Sequence, residues 1–260
     1  MNSKQVMTRL VRNWLMAFVD PRRILGMASL PRYLAHWRRY SQLVGPGVIR
    51  WQESYPCLTD WTPDTPFDSH YFYQASWTAR KLAESVPAWH VDIGSSVMMI
   101  GVTSAIALTV FVDYRPFRAR IAGLTTVEGN LLALPFANCT IRSLSCLHVI
   151  EHVGLGRYGD PLDPQGSVKA ARELVRVLAP GGRLLFSTPV GRERVQFNAH
   201  RILAPETVLT MFSDLKLVDC AMVDDRGVFQ VHIRPTQVSS CEYACGMFDF
   251  VKNCDRGYYH

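Results

Sequence analysis

The chain has 260 residues, 48% hydrophobic and 19% charged, which suits a globular protein with a sizeable core and excludes a disordered one. No apolar run reaches the roughly 18 residues of a membrane-spanning helix, and Arg9, Arg12, Arg22 and Arg23 break up the N-terminus as a secretory signal. The net charge of +6 is concentrated in residues 1–50, with nine basic side chains against the single acid Asp20; residues 51–260 hold 19 basic and 21 acidic ones, which argues against nucleic acid as a partner.

In chain order, residues 5–19 place Val6, Leu10, Trp14, Leu15 and Phe18 on a helical stripe ended by Asp20-Pro21. A second helical piece over 22–43 mixes apolar residues and Trp37 with arginines. The two form a basic extension over 1–45. It either packs as a helical appendage with a solvated basic face or lies, through residues 1–43, on an anionic membrane surface.

Residues 44–76 read as loop, with Gly45-Pro46-Gly47 and Pro56, Pro63 and Pro66. A helix is predicted over 75–86. Short strands follow at 91–93, Leu108–Asp113, 125–127, Ile141–Leu147 and 183–187, with helices over 97–105, 165–178 and 205–213 between or after them. Pro180-Gly181-Gly182 stops the second of these helices. Two late strands, Leu215–Val223 and 244–251, have no helix between them and suit an antiparallel pair at one edge. This alternation predicts an α/β fold: a doubly wound, mostly parallel, Rossmann-like sheet of seven strands with an antiparallel edge strand, occupying 46–260. Such sheets bind ligands beyond the carboxyl ends of their strands.

Seven cysteines stand at 57, 139, 146, 220, 241, 245 and 254 without a C-x-x-C pair. They are expected to be reduced thiols in a cytosol, and no metal site is expected.

Asp92 and Gly94 end the first strand of the parallel pattern, followed by Ser95 and Ser96; a glycine there lets backbone approach a ligand at a helix N-terminus. Asp113 ends the next strand, 21 residues on, where a carboxylate can accept from ribose hydroxyls. Asn130 and Leu131 follow the third strand, placed for an adenine ring. Each piece alone is weak; the ordered set is specific.

On these residues the region 88–190 resembles a class I S-adenosylmethionine-dependent methyltransferase. VDIGSS is similar to that family's first motif, FVDYRP to its acidic second strand, EGNLLALPF to its adenine loop, SLSCLHVIEHVGLG to its fourth strand, and LAPGGRLLFSTP to its fifth. The stretches 56–74, 154–166, 197–201 and 242–250 further resemble a branch of uncharacterised methyltransferase-like proteins, some encoded among bacterial surface-polysaccharide genes. Ser96 stands where the first motif usually has a second glycine, and Arg142 where the fourth strand often starts with Asp.

The resemblance implies S-adenosyl-L-methionine as cofactor and a saccharide or other small polar acceptor. The unpaired cysteines suit a cytoplasmic protein, and the basic extension offers a peripheral contact with the inner face of the membrane. Asp92, Gly94, Ser95, Ser96, Asp113, Asn130, Leu131 and Tyr73 are the expected cofactor contacts. An oxygen acceptor needs a base, for which histidine is suited, and His148, His152 and His200 are the candidates. Arg157, Asp160, Asp163, Asn198 and Arg201 are the expected acceptor contacts. A second reading keeps the fold but makes it an inactive binding module in a membrane-associated assembly.

Overall fold

The computed structural model describes residues 7, 8, 11, 20–115 and 117–254. Contacts divide the chain into two compact units, Met1–Phe67 and Asp68–His260. Apart from residues 7, 8 and 11, the helix predicted over 5–19 lies outside the described residues.

In the first unit, α1 (Pro21–Gly26) runs through a 3-10 turn into α2 (Leu30–Val44), close to the predicted 22–43. Pro31 sits in the first turn of α2, where a missing N–H costs nothing. Trp37 meets Trp51 edge-on at 5.3 Å, and the Arg32 guanidinium lies 3.8 Å over the Trp61 ring. No residue of α2 is buried. No helix among the described residues is long and apolar enough to cross a membrane.

The second unit opens with α3 (Ser69–Ser85), whose Asp68 N-cap accepts the Tyr71 N–H at 3.1 Å. The helix therefore starts six residues before the predicted 75, and the aromatic run 71–73 belongs to it. Two residues turn a helix by about 200°, so Tyr71 and Tyr73 leave on opposite sides.

The strands are β1 (Trp89–Ile93), β2 (Leu108–Asp113), β3 (Leu124–Glu128), β4 (Ile141–Leu147), β5 (Leu178–Val190), β6 (Arg194–Gln196), β7 (His200–Ile202), β8 (Leu215–Val223), β9 (Phe229–Gln230) and β10 (Ala244–Lys252). Between them lie α4 (Val97–Thr103), α5 (Gly166–Val177) and α6 (Pro205–Met211). One sheet takes the order β3-β2-β1-β4-β5-β10-β8-β9. Strands β1 to β5 pair in parallel, while β10 runs antiparallel between β5 and β8. The seven expected strands are thus present, and the two-residue β9 adds an antiparallel edge.

Strand β5 begins at Leu178, earlier than the predicted 183. Pro180-Gly181-Gly182 makes an outward excursion within it, so that Leu178 faces Ile141 while Arg183 faces Ser143. A Cβ at Gly182 would stand 2.7 Å from the Ala179 carbonyl and 2.9 Å from that of Ile141, which is why this strand crosses close to β4 only with glycine there. The hairpin β6–β7 was not predicted; its residues 194–202 are mostly polar.

The main core lies between α5, α6 and the sheet. It joins Val91, Leu144 and Phe186 to Leu174, Phe212 and Phe250. A second cluster on Trp77 and Leu82 seats α3 against β5, β8 and β10. Burying a side chain of this size contributes roughly 1.5–3 kcal/mol, and these clusters hold the carboxyl ends of β1, β2 and β4 side by side.

Candidate active site

The turn after β1 is built from inside the sheet. Asp92 is fully buried and its two oxygens are both used: one accepts the Ser95 N–H at 3.0 Å and the other the Ser145 hydroxyl. The Ser145 hydroxyl has one proton, given to Asp92, so the His90 Nε2–H at 2.8 Å donates to it, and Ser143 donates to Nδ1 at 2.8 Å. Burial holds His90 down at about 4 and lifts Asp92 to about 6, the latter partly offset by the hydrogen bonds from Ser145 and Ser95. The Ser95 hydroxyl in turn accepts the Leu147 N–H at 3.1 Å, tying β1 to β4.

Gly94 has φ +65°, and a Cβ there would stand 3.2 Å from a Val149 methyl and 3.6 Å from Asp113 Oδ2. Both steric terms favour glycine. Ser96, by contrast, has φ −59° and makes no side-chain cap for α4. Its backbone suits any residue, so a second glycine is not required by this turn.

Two cavities open on either side of Gly94. The first, about 300 Å³, is mainly apolar; Ile93, Val112, Leu131 and Val149 line it, with Asp113 and Asn130 at its rim. Asp113 Oδ1 accepts the Arg115 N–H at 2.7 Å. Asn130 accepts the Leu132 N–H at 2.9 Å, which orders its loop. The second cavity, about 320 Å³, is polar; Ser95, Ser96, Glu151, Arg157, His200 and Tyr243 contribute to it. Gly94, His148, His152 and Tyr158 line both. Two guanidiniums lie over the Tyr158 ring, Arg115 at 4.5 Å and Arg157 at 5.1 Å.

His148 takes a left-handed backbone (φ +56°) and is mostly buried, its buried Nε2 without a hydrogen-bond partner. Burial and the neighbouring His70, His152 and His200 lower it to about 3. His152 donates Nδ1–H to the Ala199 carbonyl at 2.6 Å, which turns Nε2 toward Glu151 Oε1 at 3.8 Å; burial lowers it to about 4. His200 is lowered by burial as well, and its buried Nε2 also has no partner. Glu151 is buried among these rings, 4.0 Å from His148 Nδ1, and burial lifts it to about 8. At pH 7 the carboxyl keeps its proton and both rings are neutral, so this close group is not an ion pair.

Four expected site residues lie elsewhere. Asp92 lines neither cavity; its oxygens shape the turn. Tyr73 stacks on Phe229 at 4.8 Å, and Tyr71 occupies the cavity wall in its place. Asn198 sits in the left-handed turn of the β6–β7 hairpin (φ +63°) and reaches neither cavity. Arg201 is buried and donates to the carbonyls of Val153 at 2.6 Å and Asp163 at 3.2 Å and to the Ser167 hydroxyl at 3.1 Å. It holds the loop 153–167 and does not face an acceptor. Asp160 and Asp163 line the first cavity, not the polar one, and serve as turn acceptors. Asp160 takes the Gly154 N–H at 2.6 Å; Asp163 takes the Gln165 N–H at 2.9 Å and pairs with Lys169 at 2.7 Å. Glu151, Tyr158 and Tyr243 were not among the expected residues; the spacing His148-x-x-Glu151-His152 was the available signal for the first.

The fold has counterparts among solved structures. A protein described as a sarcosine dimethylglycine methyltransferase from Galdieria sulphuraria aligns with a TM-score of 0.51 at 13% identity, over 70% of this chain and 86% of its own. The fold is that of the class I methyltransferases. YcgJ from Bacillus subtilis aligns at a TM-score of 0.49 and 15% identity, over 70% of this chain and 99% of that one. NodS, an N-methyltransferase from Bradyrhizobium japonicum WM9 solved with S-adenosyl-L-homocysteine, aligns at 0.46 and 17%, over 76% and 91%. In sequence, a family described as Caenorhabditis protein of unknown function, DUF268, matches residues 115–242. No curated protein matches the chain.

The first cavity of this methyltransferase fold fits an adenosyl group. Its volume is at the lower end of the roughly 300–1,000 Å³ of small-molecule sites. Its walls are apolar, a carboxylate stands at the end of β2, and the glycine at 94 leaves open the space that a side chain would fill.

Proposed function

We propose that the protein is an S-adenosylmethionine-dependent methyltransferase acting on a hydroxyl of a saccharide or other small polar acceptor. The observation that carries this reading is the pair of cavities that meet at Gly94 and His148, one apolar and one polar. Asp113, Asn130 and Leu131 would hold the nucleoside part, and Gly94, Ser95 and Ser96 the amino-acid part. When bound, the cofactor supplies an activated methyl group on a sulfonium. The chain's own task is then mostly to align the acceptor oxygen and exclude water.

Arg157, Tyr158, Tyr71 and Tyr243 line the polar cavity. Rings and neutral imidazoles of this kind suit a sugar, whose faces are apolar and whose hydroxyls seek acceptors. A role in surface-glycan synthesis is consistent with that lining. Ser96 leaves the turn unstrained, which favours an active enzyme over an inactive binding module. Calorimetry with S-adenosylhomocysteine tests the proposal: no binding near millimolar concentration sinks it, and binding without transfer to any glycan favours the inactive module.

The basic segment 1–43 is proposed to lie on anionic membrane at the cytoplasmic face. The support is the excess of basic side chains over 1–50 and the unburied face of α2. Liposome sedimentation with and without residues 1–43 checks it; equal partitioning would rule it out.

A further inference from the structure

Within the polar cavity the geometry does not favour His148 or His152 as the base. Both ring nitrogens of His152 are directed at the protein, Nδ1 donating to the Ala199 carbonyl and Nε2 facing Glu151. His148 has Nδ1 toward Glu151 and Nε2 buried. The carboxyl of Glu151 is the point on which they converge. It lies within 4.0 Å of one ring and 3.8 Å of the other, in the cavity wall; its own backbone N–H and the Thr188 hydroxyl at 3.5 Å donate to it. A carboxyl so buried costs free energy to ionise, so it stays protonated until the pH rises.

We infer that Glu151 takes the proton of an acceptor hydroxyl bound in the polar cavity, an inference that rests on the methyltransferase reading. The hydroxyl proton passes to a Glu151 oxygen, and the freed electron pair of the acceptor oxygen forms the bond to the methyl carbon. The carbon–sulfur pair stays on the sulfur of the sulfonium donor, which leaves as a neutral thioether. His148 and His152 position the carboxyl and accept no proton themselves.

The groups facing Glu151 leave it little charge to respond to. Its own loop brings His148, His152 and Arg157; α3 brings Tyr71, and the hairpin His200. Cys146 on β4, Cys245 on β10 and Tyr243 just before it also face it, and each is held protonated by burial first, then by Glu151 for Cys245 and Tyr243 and by Asp92 ahead of Glu151 for Cys146. Arg157 is the one fixed charge in this set. Its pull on Glu151 is smaller than the effect of burial. The carboxyl therefore loses its proton only as pH rises toward about 8, the range in which a carboxylate is an effective base near working pH.

The full-length protein labelled with carbon-13 glutamate is titrated by infrared spectroscopy. The expected result is a protonated-carboxyl band that disappears with a midpoint near 8 and is missing in Glu151→Gln; a spectrum with no carboxyl titrating above neutral pH overturns the inference. In parallel, labelled S-adenosylmethionine is offered with methyl glycosides of hexoses and 6-deoxyhexoses. Transfer is expected to rise about tenfold per pH unit below the midpoint and to fall about 10²-fold or more in Glu151→Gln, with S-adenosylhomocysteine binding unchanged within about twofold. Transfer retained within about threefold in the variant, or flat across that pH range, overturns the inference. So does transfer abolished by a chelator and restored by Mg²⁺, which would make Glu151 a metal ligand. Where no glycoside is methylated, the band decides. Failure of the wild type to bind S-adenosylhomocysteine refutes the methyltransferase reading instead, and the band still reports on Glu151.

Discussion

Replacing Gly94 with alanine probes the turn on which both cavities depend. The left-handed backbone at φ +65° costs an L-residue about 1–2 kcal/mol. The new methyl also meets Val149 Cγ1 at 3.2 Å, and Val149 is only half-buried and can yield by a few tenths of an ångström. Strain thus dominates, and the loss of stability should be about 1–2 kcal/mol. For a domain of this size that lowers Tm by roughly 2–8 °C. Binding should suffer more, because the methyl enters space common to both cavities. Affinity for S-adenosylhomocysteine is expected to drop at least about tenfold, or about 1.4 kcal/mol. Scanning calorimetry and titration calorimetry read the two effects separately. A Tm within about one degree of wild type together with unchanged affinity would refute the geometry assigned to this turn. Ser96→Gly is the control: with φ −59° and no capping bond, it should cost a few tenths of a kcal/mol and leave affinity unchanged or improved.

Asp113→Ala should weaken S-adenosylhomocysteine binding strongly by calorimetry; a change within about twofold, under roughly 0.5 kcal/mol, would show that the carboxylate does not hold the ribose. Arg201→Met should destabilise the unit by about 2 kcal/mol, because a buried hydroxyl and two half-buried carbonyls lose their donor; denaturant melts check it, and a loss below about 0.5 kcal/mol would mean that water replaces the guanidinium. Stability should peak near pH 6.5. Burial lowers His90, His148 and His152, so the unfolded chain binds protons that the native one does not, and stability is lost as pH falls from about 6.5 toward 4. Glu151 is raised, so the native state holds the extra proton and stability declines as pH climbs from the ordinary carboxyl range to about 8. Urea midpoints across this range test both arms, and Glu151→Gln should flatten the alkaline one and steepen the acid one between about pH 4.5 and 6.5.

Much of the architecture was legible because its signals are local. β2, β4 and β8 were read to the residue, since apolar runs bounded by turn chemistry mark buried strands. The start of α3 was missed because Pro63 and Pro66 made the preceding stretch read as loop, while the Asp68 cap that begins the helix is one inconspicuous side chain. That misplacement carried a second error, since the facing of Tyr71 and Tyr73 follows only once they are known to be helical. Asp113, Gly94 and Asn130 stand at strand ends, where topology alone brings them together. Arg201 looked like a ligand because it is charged; its partners are carbonyls from a loop some 40 residues earlier, which no local pattern announces. Glu151 posed the opposite problem: its sequence neighbours were singled out, but a carboxyl becomes unusual only through burial.

Strand β10 has a consequence for how the chain matures. Among the described residues it is the only link between β5 and the pair β8–β9, and it is the last of their strands along the chain. As residues emerge from a ribosome, β1 to β5 can assemble in parallel with α5 behind them, but β8 has no place in that assembly until residues 244–252 arrive. Until then β5 presents an open hydrogen-bonding edge, and Phe186 and Phe212 lack the cover that Phe248 and Phe250 later provide. The nascent chain is thus most exposed to mispairing just before synthesis reaches β10, and a nick or stop codon ahead of 244 would leave an aggregation-prone edge, not a smaller stable protein.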